Sequence, residues 1–213
     1  MKHVLCFGDS NSWGFMPGTE MERLPRDQRW PGVLAKALAG EVDLIEENLC
    51  GRTTSFDDPL FLDRNGARHL PMLLDSHVPL DGLVIMLGTN DLKHYFRLSP
   101  EDIALGVGFL VDLARERLPG LPVLLICPPP TVKARAPFGH KFDGSMQVSL
   151  GLPAAFREIA EEKDCLFFDA GGVAAASPID GVHLDATAHR KLGEALAGPI
   201  GQLLTQSASS GCQ

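Results

Sequence analysis

Four short segments hold the residue types from which covalent acyl chemistry is assembled: Gly8-Asp9-Ser10-Asn11, Asn48-Leu49-Cys50-Gly51-Arg52, Gly88-Thr89-Asn90-Asp91 and Asp180-Gly181-Val182-His183. A serine hydroxyl is a weak nucleophile until a neighbouring base takes its proton. Ser10 is the candidate nucleophile, and His183, the one histidine in the four segments, is the candidate base. Asp180 lies three residues before it, close enough to accept from the other ring nitrogen, fix the tautomer and stabilise the imidazolium. A tetrahedral oxyanion needs donors. The backbone N–H groups of Ser10 and Gly51 and the side-chain amide of Asn90 are of the right type. Gly51 also lets the backbone come close.

Each residue has a plainer reading. A lone serine after a strand usually closes a turn, Asn90 could do the same in its own motif, and His183 could line the start of a helix. The ordered set of four segments decides for catalysis. Asp9 and Asp91 read as structural acceptors for turn N–H groups rather than as further acids. His189 reads as solvent-facing, and Lys93 and Arg52 as solvated or in surface ion pairs. His3, His69, His77, His94 and His140 show no partner pattern. Trp13, Phe15, Tyr95, Phe96 and Phe138 fall on loops, where packing is the default for aromatic rings. Asn11, Trp13, Phe15 and Val182 form the candidate pocket wall. A small pocket walled by such rings would admit acetyl and exclude long chains.

What must position these segments is legible from periodicity. Apolar runs of strand length occur at residues 3–7, 42–46, 83–87, 123–127 and 165–168. Near-continuous apolar character suits strands buried on both faces of a parallel sheet. Helical spacing lies between them, at residues 30–39, 99–118, 152–163 and 186–204. Ser99-Pro100-Glu101-Asp102 opens one helix with a cap serine, a first-turn proline and early acids, and Asp185 is a cap for the last. Strand and helix alternate, which predicts a doubly wound α/β sheet whose carboxyl edge gathers all four segments. Two loop-like stretches, residues 13–29 and 128–144, follow strands at that edge.

The 213 residues suit one domain, taken as 1–206, with a small polar tail at 207–213 that is expected to fray. With 45% hydrophobic and 22% charged residues the chain can bury a sizeable core. A formal net charge of -8 and no Lys/Arg cluster argue against a nucleic-acid partner. No apolar run approaches the ~20 residues that span a bilayer, so no membrane partner is expected. The five cysteines, Cys6, Cys50, Cys127, Cys165 and Cys212, include no C-x-x-C pair. They predict reduced thiols and a cytoplasmic location. No dinucleotide or P-loop glycine motif is present, and no cofactor or metal is expected.

Gly8-Asp9-Ser10, Gly51, Gly88-x-Asn90-Asp91 and Asp180-x-x-His183 resemble the four blocks of the SGNH (GDSL-like) hydrolases, in order and over most of the chain. The resemblance implies a flavodoxin-like three-layer α/β/α sandwich with a five-stranded parallel sheet of order 2-1-3-4-5. It also implies a triad of Ser10, Asp180 and His183 and an oxyanion hole of Ser10, Gly51 and Asn90. Further segments resemble a bacterial arylesterase and acyltransferase branch: Trp13-Gly14, Arg29-Trp30, Gly51-Arg52-Thr53-Thr54, Asp57-Asp58, Asn65-Gly66-Ala67, Leu70-Pro71 and Pro128-Pro129-Pro130. That likeness implies short acetyl or aryl esters, acyl transfer to water, alcohol or peroxide, and a homo-oligomer. Asn11 stands where the signature usually has leucine and offers a polar contact beside the nucleophile.

Two other classes compete. Asp9, Asn90, Asp180 and His183 could ligate the metal of a phosphoesterase, but no Asp-x-His follows the first strand and only one histidine is supplied. A catalytically silent ligand-binding domain would leave a complete triad unused.

Overall fold

A computed structural model describes residues 1–209. Five parallel strands form the centre: β1 (Lys2–Gly8), β2 (Val42–Asn48), β3 (Gly82–Met86), β4 (Val123–Cys127) and β5 (Leu166–Asp169). Their order is β2-β1-β3-β4-β5, the flavodoxin-like order that the family resemblance implies. The strands lie within a few residues of the apolar runs that announce them.

Alternation along β1 explains the two helical layers. Leu5 and Phe7 point to one face, and Val4 and Cys6 to the other. The first face is covered by α3 (Gly66–His77), α4 (Pro100–Arg117) and α6 (Leu152–Glu162), through Leu70, Leu74, Ile103, Leu110 and Phe156. The second is covered by α2 (Trp30–Ala37), α7 (Ala186–Ala195) and α8 (Ala197–Ser209), through Trp30, Leu34, Leu192, Ile200 and Leu203. Full burial of such side chains stabilises by roughly 1.5–3 kcal/mol each, which is what holds helices to both faces. Two short helices remain, α1 (Ser10–Trp13) and α5 (Ser145–Ser149).

Local signals read from the sequence set several boundaries. Ser99 accepts from the Asp102 N–H, and the Asp102 carboxylate accepts from the Ser99 N–H, so α4 opens with a capping box. Asp185 caps α7 by accepting from Ala188 N. Two readings need correction. The helical stretch 186–204 is two helices, because Pro199 has no N–H to give the carbonyl of Ala195 and its ring crowds that turn. Helix α3 was not expected at all, since Pro71 interrupts its pattern. The backbone of α8 is helical to Ser209, and residues 210–213 of the expected tail lie outside the described residues. Among the described residues no helix is long and apolar enough to cross a membrane.

The registers bring the strand ends level. Gly8 pairs with Asn48 on one side and with Met86 on the other. The segments after β1, β2 and β3 therefore leave the sheet side by side.

Candidate active site

Beyond Gly8 the chain turns at once into α1, with Asp9 as its cap. The Asp9 carboxylate accepts from Asn11 N at 2.9 Å. Glycine is required at position 8 for space. A Cβ there would stand 2.3 Å from the Ser12 hydroxyl. Ser10 thus opens a one-turn helix on a rigid strand end and is 5% exposed.

The Ser10 Oγ lies 3.0 Å from His183 Nε2, and His183 Nδ1 lies 2.8 Å from Asp180 Oδ2. The second Asp180 oxygen accepts from the N–H groups of Val182 (2.9 Å) and His183 (3.0 Å). Burial pushes the Asp180 pKa up, but hydrogen bonds from the His183 ring and from these N–H groups outweigh it, so the net shift is downward. The imidazole is also clamped by rings. Phe15 stacks on it at 4.2 Å between centroids, and Phe138 meets it edge-on at 4.9 Å. A hydroxyl, an imidazole and an ionised carboxyl in this sequence can convert a serine into a nucleophile.

Gly51 and Asn90 line the same cavity as Ser10 and His183. Gly51 has φ +85, a conformation that side-chain-bearing residues rarely adopt. The Asn90 amide nitrogen donates to Arg52 O at 3.1 Å and makes a long 3.4 Å contact with Asp9 Oδ2. Asp9 caps α1 and faces the Asn90 amide. Burial raises its pKa to about 6, partly offset by the Asn11 N–H and the charges of His183 and Arg52. Asp91 also has its pKa raised to about 6 by burial, against bonds from the Thr54 hydroxyl and N–H.

Of the expected wall, Phe15 and Val182 line the cavity; Asn11 and Trp13 do not. Asn11 is buried and ties two motifs together: its Oδ1 accepts from Leu184 N at 3.0 Å and its Nδ2 reaches Val182 O at 3.4 Å. The polar side chain ties down the His183 segment instead of lining the cavity. Trp13 faces away, its ring beneath the Arg23 guanidinium at 4.8 Å.

Other readings also change. Arg52 is buried and donates to the carbonyls of Gly8 and Glu47, so it pins the ends of β1 and β2. Lys93 is buried in an ion pair with Asp58 at 2.7 Å, and Tyr95 donates to the same carboxylate. His189 is fully buried, its Nδ1 accepting from Trp30 N. Burial holds its pKa down at about 3, so it packs as a neutral ring.

The rest of the cavity wall was not anticipated. Met21, Cys50, Phe61, Arg64, Lys93, Phe138, Lys141 and Phe142 complete it. Most come from the connections after β2 and β4 and carry no motif, although the ring of Phe138 and the adjacency of Cys50 to Gly51 were available signals. Among the described residues, no group of three or more His, Cys, Asp or Glu side chains could hold a metal ion. The donor set required by the phosphoesterase alternative does not assemble.

Comparison with known proteins shows the family of this chain. The profile of the GDSL-like lipase/acylhydrolase family matches residues 6–191. The chain is similar to the aryl esterase of Mycobacterium smegmatis, with 42% identity and a TM-score of 0.91 over 96% of this chain and 100% of that one. It is similar also to a carbohydrate acetylesterase from Sinorhizobium meliloti, with 40% identity and a TM-score of 0.91 over 95% of this chain and 100% of that one. No curated protein sequence matches it significantly. On the match of profile and whole-length structures alike, the chain belongs to the GDSL-like lipase/acylhydrolase family.

Proposed function

We propose that this serine esterase hydrolyses short-chain carboxylic esters, acetyl and aryl esters foremost, through an acyl-enzyme on Ser10. His183 takes the Ser10 proton as the hydroxyl attacks the carbonyl and returns it to the leaving alcohol. Asp180 holds the imidazole in the required tautomer and stabilises its protonated form. The N–H groups of Ser10 and Gly51 and the Asn90 amide receive the oxyanion. Water then releases the acyl group, and an alcohol in its place would make the reaction an acyl transfer.

The observation that carries this reading is the unbroken line from Ser10 Oγ through the His183 ring to Asp180, with spacings of 3.0 and 2.8 Å, at the floor of an apolar cavity. Phe15, Phe138 and Phe142 crowd that floor, which favours small acyl groups. The similar proteins named as an aryl esterase and a carbohydrate acetylesterase support the same substrate range. A cytoplasmic site of action fits Cys6, Cys50, Cys127 and Cys165, all free. A homo-oligomer fits the exposed apolar side chains Met21, Leu60 and Leu62 near the cavity; light scattering on the purified chain tests it.

A chain-length series of p-nitrophenyl esters from C2 to C12, with and without an alcohol acceptor, tests the reading. Activity is expected to peak at C2–C4, depend on Ser10 and yield some transfer product. A peak at C8 or longer would overturn the short-acyl assignment.

A further inference from the structure

Among the described residues the cavity beside Ser10 is lined by three cationic side chains, Arg64, Lys93 and Lys141, and by no carboxylate. This runs against the composition, since the chain has a formal net charge of -8. Lys93 is balanced by Asp58. Arg64 and Lys141 are not balanced: neither takes part in any of the ion pairs among the described residues.

Both cations are held in place by other means. Arg64 donates through Nε to Cys50 O at 2.9 Å and through Nη1 to Leu62 O and Asp63 O. Its Nη2 takes no part in these bonds. The Lys141 ammonium sits 4.4 Å from the centroid of the Phe61 ring, and the Lys93 ammonium 5.2 Å from the same ring. An aromatic face can hold a cation without neutralising it. Lys93 has its pKa lowered first by burial, and the charge of Lys141 adds to that against the pull of Asp58 and Asp91. Like charges gathered on a partly dry wall repel unless an anion joins them.

We propose that the ester taken by this site carries an anionic group, a carboxylate in the simplest case, seated between Arg64 and Lys141 while its carbonyl meets Ser10. This rests on the esterase reading above and narrows its substrate class. The two cations would steer the anion into the cavity and fix its orientation, raising kcat/KM in a salt-sensitive way.

The test compares kcat/KM for three aryl acetates: 4-acetoxybenzoate (anionic), phenyl acetate (neutral) and (4-acetoxyphenyl)trimethylammonium (cationic). Each is run on the wild type and on Lys141→Gln, Lys141→Glu and Arg64→Gln, at low and high salt. The intrinsic reactivity of each ester cancels in the ratio of variant to wild type. The Lys141 variants are expected to lose about fivefold or more for the anionic ester relative to the neutral one, with Lys141→Glu shifting preference toward the cationic ester. High salt should shrink the wild-type preference. Arg64 also holds the Cys50 carbonyl, so a fall shared by all three esters in Arg64→Gln reports on the loop, and the Lys141 pair decides. Equal ratios for the three esters in both Lys141 variants overturn the proposal while leaving the esterase intact. Wild type inert toward all three, with no effect of Ser10→Ala, overturns the esterase reading itself.

Discussion

Phe15 lies nearly parallel to the imidazole of His183, with ring centroids 4.2 Å apart and planes inclined by 24°. Phe138 closes the other approach edge-on to both rings. The imidazole is therefore confined to the plane in which one nitrogen reaches Ser10 and the other Asp180. Phe15→Ala should free that ring. We expect kcat/KM for a small acetate ester to fall about ten- to a hundredfold, the scale of a misplaced catalytic group. Steady-state kinetics checks this, and an undiminished rate would show that Asp180 alone orients the ring.

Removal of the proposed nucleophile should be far more damaging. Ser10→Ala is expected to lower kcat by about 10⁴ or more, leaving only what the oxyanion donors and binding contribute. Asn90→Ala should cost roughly 10²–10³, the loss typical of one oxyanion donor. Turnover of p-nitrophenyl acetate measures both, and a fluorophosphonate should label the wild type but not Ser10→Ala.

Asn11 couples the Ser10 segment to the His183 segment by its bonds to Leu184 N and Val182 O. Asn11→Leu restores the residue usual in the family signature but leaves the Leu184 N–H buried without its partner. Stability should drop by about 1–3 kcal/mol, read from urea denaturation. Activity should fall by roughly tenfold in the folded variant if the His183 segment shifts by a fraction of an ångström.

Asp91 links the fold to pH. Burial raises its folded pKa to about 6, above the ~3.9 of an unfolded aspartate. Between those values the folded state holds the proton and the unfolded state has lost it, so this group makes stability fall as pH rises from about 4 to 6. Asp91→Asn removes that slope. Relative to wild type, the variant should gain on the order of 2 kcal/mol between pH 4 and pH 7, whatever its constant offset from altered bonds to Thr54. Denaturation midpoints across that range test it, and parallel curves for the two proteins would contradict it.

Local pattern and tertiary burial were legible to different degrees. The five apolar runs marked the strands because both faces of the sheet are dry, and the short motifs marked their carboxyl ends. Single residues hid two helical details: Pro71 masked α3, and Pro199 divided α7 from α8 without disturbing the apolar period. Burial of polar side chains was the least legible. Arg52, Lys93 and His189 read as surface residues because nothing near them in sequence announces Gly8 O, Asp58 or Trp30 N as a partner. Asn11 stands out by its departure from the signature, which suggests a pocket wall and not the bonds it makes. Its partners Val182 and Leu184 lie too far along the chain for spacing to reveal them.

The level ends of β1, β2 and β3 set by the pairing of Gly8 with Asn48 and Met86 divide the molecule's labour. Ser10, Gly51 and Asn90 lie within a few residues of those ends, while Asp180 and His183 stand on the longer stretch between β5 and α7, Phe61 and Arg64 on the connection after β2, and Phe138 and Lys141 on the one after β4. A change at Phe61 or Lys141 would then alter which molecules are admitted, whereas a change at Phe138 would also loosen the His183 ring it packs against.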